Sequence, residues 1–258
     1  MVLLAHWPLD DGDYRPAPPT ARDVAAGGSG SHAGTYTWGS GGLRPTGVGG
    51  HHFESDDSYI DSIGNPSDLI LLGSVTAVSW LWCDDYYHFG YENRNVVSCV
   101  AVDDATIATN DAFWLRNNAF KLEFAWQYGA GQTQVTATTS TSVLPYGKPS
   151  HVAAVRYQIS PGFYGVKFYV DGILVDTQDN GGPGWAAPTG GSSCVPYVGY
   201  ALTDNNRACY LDSVRIYDSE ESTANILAIY DAEKDSIMMA ATHNGPNSSR
   251  ENSGWAKL

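Results

Sequence analysis

The most constraining stretch of this chain is GVKFYVDGILVDTQ, residues 165–178. At its centre Asp171-Gly172 is the dipeptide that best tolerates the two positive φ angles of a type I′ turn, and apolar residues alternate away from it on both sides. Folding about that turn sets Val170 against Ile173 and Phe168 against Val175 on one face. Tyr169 then faces Leu174, and Lys167 faces Asp176, on the other. Such a hairpin predicts an antiparallel sheet with one buried and one solvated face. The turn itself carries no chemistry.

Composition extends this reading to the whole chain. With 28 Gly, 13 Pro, 12% aromatic and only 16% charged residues in 258, the sequence suits many short strands joined by tight turns. Strand-like runs bounded by turn residues fall at 2–9, 34–38, 51–54, 58–61, 74–83, 96–102, 120–128, 133–139, 150–158, 165–170, 173–178, 195–201 and 208–217. Their spacing predicts a two-sheet sandwich in one domain, residues 1–232. The glycine-rich segments 27–42 and 180–192 read as loops at the sandwich ends. One helix is expected, over 219–232, capped by Ser219 or Ser222 and presenting Ile226, Leu227, Ile229 and Tyr230. Residues 233–258 read as a polar tail.

Charge narrows the partners. A net charge of −14 repels phosphate backbones and anionic headgroups, so nucleic acid and membrane surfaces are not expected. No run approaches the roughly 18 apolar residues of a membrane span, so no insertion is expected. MVLLAHWPLDD has no basic n-region and no small-residue cleavage site, so no signal peptide is expected in this chain. Such a chain is expected either as a mature exported protein at an extracellular surface or as part of a virus particle freed by lysis. Most acidic residues are Asp, which suits turns and oxygen-rich cation sites.

The four cysteines are too few for a disulfide scaffold and lack metal-knuckle spacing. Cys83 and Cys99 lie symmetrically about position 91, which leaves a cross-hairpin disulfide and two buried thiols both open. Cys194 and Cys209 do not suit the register of the next hairpin. His151 reads as a packed, hydrogen-bonded residue rather than a base. His51-His52 adjoin a strand, where neighbours point to opposite faces.

In order along the chain, LLAHWPLDDG, ARDVAAGGSGSHAGTY, GVGGHHFESDDSYIDS, VTAVSWLWCDD, PSHVAAVRY with VKFYVDGILVDT, VPYVGY, and LDSVRIYDSEES resemble a laminin-G-like (concanavalin A-like lectin/glucanase) jelly roll. The resemblance covers roughly residues 2–232. It implies an all-β, two-sheet antiparallel jelly-roll sandwich with its first and last strands adjacent, one short C-terminal helix, and rim loops or a concave face for ligands. Function on this fold depends on the site.

Glucan hydrolysis needs paired carboxylates, and retaining enzymes of the fold alternate two Glu and an Asp on one strand. The nearest approach is Glu54-Ser55-Asp56, without a second Glu. No enzyme is expected. In LDSVRIY, alternation sets Asp212 beside Val214 and Ile216 on the buried face, where a carboxylate requires a cation or several donors. The resemblance implies a structural calcium (Ca2+) there, with Asp10, Asp11, Asp56 and Asp57 as companions.

Sugar rings pack on flat aromatic side chains flanked by hydrogen-bonding groups. Three segments qualify: DDYYHFGYENRN with Tyr87 and Tyr91, NDAFWLRNNAF with Trp114, and GGPGWAAPTGG with Trp185. Trp80 and Trp82 share one strand face and read as core. The expected function is a non-catalytic, lectin-like module binding glycan or surface polysaccharide. The alternative is a virion decoration or tail-associated protein that contacts capsid or tail proteins, or copies of itself, through the same sandwich.

Overall fold

In the computed structural model, the residues described are 3–7, 35–38, 44–45, 51–53, 60–63, 73–83, 93–100, 113–128, 133–145, 148–182, 184–188, 195–199 and 209–244. Among these residues, two antiparallel sheets and one helix form the fold.

The first sheet runs, from its edge, β13 (Ile173–Gln178), β12 (Phe163–Val170), β11 (Ser150–Ser160), β6 (Val75–Cys83), β16 (Cys209–Tyr217), β4 (His51–Phe53) and β3 (Arg44–Pro45). The first strand β1 (Leu3–Trp7) pairs with the last, β16, as expected for a jelly roll, and β14 (Trp185–Ala186) pairs with β12. The second sheet runs β10 (Thr133–Thr138), β9 (Lys121–Tyr128), β8 (Phe113–Asn118), β7 (Asn93–Val100), β15 (Val195–Val198), β5 (Ile60–Ile63) and β2 (Thr35–Trp38). Alternate residues of both sheets meet in one core: Val152, Ala154, Val166, Phe168, Leu211, Val214 and Ile216 from the first, Phe113, Leu115, Leu122, Phe124 and Trp126 from the second.

The hairpin forms about the turn expected, with Asp171 at φ 52° and Gly172 at φ 77°. Val170 faces Ile173 and Tyr169 faces Leu174 as alternation requires. Beyond them a bulge shifts the register, so Phe168 faces Asp176 and Lys167 faces Thr177. Both faces of β12 are buried, because the helix α1 (Thr223–Asn244) covers the second one. Val78, Ala153, Val155, Tyr169 and Tyr217 from the sheet enclose Ile226 of α1 in a separate apolar cluster, and the Tyr169 hydroxyl lies 3.1 Å from Thr223 Oγ1.

Helix α1 begins at Ser222, whose Oγ accepts the Asn225 N–H at 3.1 Å. Ser219 does not cap it. The helix continues well past residue 232, where a polar tail was expected, and Glu233 is anchored on the sheet. Leu227 is outside the buried stripe, at 41% exposure, but its backbone lies over the hairpin turn. A Cβ on Gly172 would sit 3.1 Å from Leu227 Cα and 2.7 Å from its Cδ1. Gly172→Ala is therefore expected to cost about 2–3 kcal/mol, combining positive-φ strain with displacement of the helix. Gly162→Ala shares the positive φ but meets nothing within 4 Å, so it isolates the backbone share at about 1 kcal/mol. Urea denaturation of the two variants measures the difference, and equal losses would show that α1 does not bear on the turn.

Cys83 and Cys99 do not face each other across a hairpin. Cys83 stands in β6 of the first sheet, whereas Cys99 stands in β7 of the second, opposite Phe113 and Pro196.

Candidate functional site

Trp185 is held at one end of the sandwich by the two-residue strand β14. Tyr164 faces Trp185 and Phe163 faces Ala186. The approach requires Gly184, which sits at φ 99° and whose Cβ would fall 2.8 Å from the Tyr164 carbonyl oxygen. Behind Trp185 stands Trp126, with ring centroids 5.9 Å apart and planes at 90°. The Trp126 indole N–H donates to the Ala186 carbonyl at 3.0 Å, so the two rings are fixed through the same backbone.

The buried Arg156 guanidinium braces Trp126 from within, 5.4 Å from its ring, and also lies 5.7 Å from the Tyr164 ring. It donates from Nε and Nη2 to the Gly73 carbonyl at 2.9 and 2.5 Å. Burial draws its pKa down to about 9, which keeps it cationic at neutral pH. Trp185 is half-buried and shares the core-facing side of the strand pair with Tyr164, whereas the exposed Phe163 belongs with Ala186 on the other side. Ile159 Cδ1 lies 2.9 Å from where a Gly184 Cβ would be, so Ile159 packs over Gly184 on the face of the sheet opposite the Trp185 ring. The Asp179–Gly182 turn, with Gly181 N–H donating to Asp179 Oδ1 at 3.0 Å, leads into the site.

Trp114 is elsewhere and is not a loop platform. The segment around it, a candidate sugar platform from its sequence, is strand β8, and Trp114 is 0% exposed. Phe113 and Leu115 enter the core, so Trp114 belongs to the opposite face of the sheet. Its amide neighbours serve the hairpin: Asn117 Oδ1 accepts the Phe120 N–H at 3.0 Å, and Ala119 and Phe120 turn at φ 49° and 65°. The same face carries a polar cluster that sequence reading missed. Arg116, 6.0 Å from the Trp114 ring, pairs with the buried Glu123 at 2.5 Å. Glu123 Oε2 also accepts from Asn118 Nδ2 at 3.0 Å and Thr138 Oγ1 at 3.2 Å. Its available signal was the cross-strand alignment of Arg116 and Thr138 with Glu123.

Asp212 is also displaced from its expected face. Ser213 sits at φ 49° in a bulge that inserts an extra residue between Asp212, opposite Trp80, and Arg215, opposite Val78. Val214 and Ile216 keep their core positions, while Asp212 shares the helix-covered face with Trp80 and is still buried. Trp80 is correspondingly not in the core between the sheets: its ring meets Tyr230 at 5.7 Å and His151 at 5.4 Å, and its Nε1 donates to Glu233 Oε2 at 2.9 Å. Arg215 pairs with the same Glu233. His151 is packed, as expected, but among the described residues neither ring nitrogen has a hydrogen-bond partner. Burial first, and then the Arg215 charge, push its pKa down to about 3.

Among the described residues, no three His, Cys, Asp or Glu side chains gather into a metal site. Asp10, Asp11, Asp56 and Asp57 lie outside the described residues, as do Tyr87 and Tyr91.

The family model described as the concanavalin A-like lectin/glucanases superfamily matches residues 57–227. No curated protein matches the chain by sequence. Among solved structures, the botulinum neurotoxin type G receptor binding domain is similar at TM-score 0.62 and 11% identity, covering 90% of this chain and 52% of that one. The receptor binding domain of botulinum neurotoxin C/D mosaic serotype gives 0.63 and 10%, covering 90% and 51%. The serotype D ligand binding domain in complex with N-acetylneuraminic acid gives 0.60 and 10%, again covering 90% and 51%. This chain thus spans about half the length of these structures, and at such identity the likeness is one of fold.

Proposed function

Because the chain belongs to the concanavalin A-like lectin/glucanases superfamily, we propose that it acts as a non-catalytic recognition module, binding glycan at the sandwich end built around Trp185. The observation that carries this reading is the indole itself. Its position is set by Trp126, Gly184 and the β12 pairing, yet the ring is only partly buried. A flat, pre-positioned ring is what the C–H face of a sugar stacks on, and little ordering entropy is lost when it binds. One structurally similar domain was solved with N-acetylneuraminic acid, which makes sialylated and neutral glycans the first ligands to test.

The carboxylate chemistry supports binding over hydrolysis. Glu123 is buried and engaged by Arg116, Asn118 and Thr138, so both of its oxygens are committed to the sheet and not offered to a bound sugar. Among the described residues, no helix is long and apolar enough to cross a membrane, and we place the module outside the cell on its glycan ligand.

Trp185→Ala is expected to weaken glycan affinity by about 1–3 kcal/mol, or roughly 5- to 150-fold in Kd. The test is a glycan array followed by titration calorimetry on the wild-type hit. Retention of full affinity by a folded Trp185→Ala protein would remove the site.

A further inference from the structure

We propose that Cys83 and Cys209 form a disulfide that joins β6 to β16. The two strands run in unbroken register over this stretch: Leu81 faces Leu211, Trp82 faces Tyr210, and Cys83 faces Cys209. The bulge at Ser213 lies on the other side of Asp212 and does not disturb it. Directly opposed residues of an antiparallel pair have Cα atoms about 4.5–5.5 Å apart. A disulfide spans Cα separations of about 4.4–6.8 Å. Opposed residues also occupy the same face of their sheet, so the backbone brings the two cysteines together without rearrangement. Cys99 has no such counterpart, since β8 and β15 set Phe113 and Pro196 against it.

The bond would join strands far apart in sequence. β6 and β16 are neighbours within the first sheet, and β16 leads directly into α1. Cross-linking residues 83 and 209 closes a loop of well over 100 residues, the regime in which loss of unfolded-chain entropy is largest.

Formation requires a disulfide oxidant, such as glutathione disulfide. One protein thiolate attacks it, forming a mixed disulfide and releasing one glutathione thiolate. The second protein thiolate then attacks the protein sulfur of that mixed disulfide and releases the other glutathione. Two protein thiols are oxidised to one disulfide, and one glutathione disulfide is reduced to two thiols.

The experiment equilibrates the full chain in glutathione disulfide with a little reduced glutathione, quenches in acid, denatures, titrates thiols and maps proteolytic peptides by mass. The expected result is two free thiols of the four cysteines and one cross-linked peptide pair, Cys83 with Cys209. Reductant should then lower the wild-type thermal midpoint by about 10 °C. A Cys83→Ser, Cys209→Ser double variant should be insensitive to it. Four titratable thiols after oxidation, or a cross-link that includes Cys99 or Cys194, would overturn the assignment. Peptide mapping uses the wild-type chain, so the result does not depend on the variant folding.

Discussion

Trp114→Ala is expected to destabilise the domain by about 3–5 kcal/mol, the range for truncating a fully buried tryptophan. The ring is 0% exposed, so its removal opens a cavity that the flanking strands cannot fill. The loss also reaches the polar cluster next to it. Arg116 lies 6.0 Å from the ring while holding Glu123 at 2.5 Å, and water entering the cavity would weaken that pair by raising the local dielectric. Urea denaturation checks the prediction, with the slope of the unfolding line unchanged if only stability has moved. Trp114→Phe keeps most of the volume and should recover more than half of the loss. Trp185→Ala is the informative contrast, because its half-exposed ring should cost far less stability and far more ligand affinity. A Trp114→Ala protein within about 1 kcal/mol of wild type would mean that the ring is not structural.

The difference between these two tryptophans shows what could be read from the sequence. Strands whose alternation was flanked by strong turn residues were legible, such as the hairpin on Asp171-Gly172 and the strand read at 150–158 and found at Ser150–Ser160, whereas the closure of β1 on β16 came from the family resemblance. Segment 113–118 was not, because Asn117 and Asn118 resemble loop residues until their bonds are known. Asn117 closes a turn and Asn118 supports a buried glutamate. Turns of non-glycine residues at positive φ, such as Ala119-Phe120, carry no compositional mark. Bulges are the other source of error. The extra residue at Ser213 moved Asp212 to the opposite face, and the one in β13 shifted Val175 out of its pairing with Phe168. Alternation predicts a face only while the ladder is unbroken.

The helix was legible at its cap and hidden at its end. Residues after 232 contain the polar Glu233, Lys234 and Asp235, which read as solvated. Glu233 instead bonds Trp80 and Arg215 across the sheet face. Trp185 was recognisable as a loop aromatic, but its partner Trp126, 59 residues earlier in the chain, becomes visible only once the sheets are stacked.

The face beneath α1 makes the domain sensitive to acid. His151 packs against both Trp80 and Tyr230, its ring centroid 5.4 and 5.8 Å from theirs, and among the described residues neither nitrogen has a hydrogen-bond partner. Arg215 on β16 and His6 on β1 bring positive charge or potential charge to this face; Asp212 and Glu233 bring negative charge, and Glu233 is already engaged by Arg215 and Trp80. A proton on His151 would have to be buried beside Arg215. Its pKa is accordingly about 3 in the folded protein against 6.5 for the ordinary imidazole. His6 is lowered to about 4, by burial first and Arg215 second.

The unfolded chain therefore binds more protons than the folded one below pH 6.5. The stability contributed by neutral His151 is complete above that value and declines as pH falls toward 3. At about 1.4 kcal/mol per pH unit, His151 alone removes on the order of 3 kcal/mol by pH 4.5. His6, which is more open to solvent, adds a smaller share. The thermal midpoint should drop steeply between pH 6.5 and 4. His151→Leu removes the titrating group without leaving a buried bond unmade, so at pH 7.5 the variant should match wild type within about 1 kcal/mol. Between pH 6.5 and 4 it should lose its midpoint distinctly more slowly. If instead the variant follows the wild-type acid profile, the proton that loosens this face binds elsewhere, and replacing His6 identifies whether it binds there.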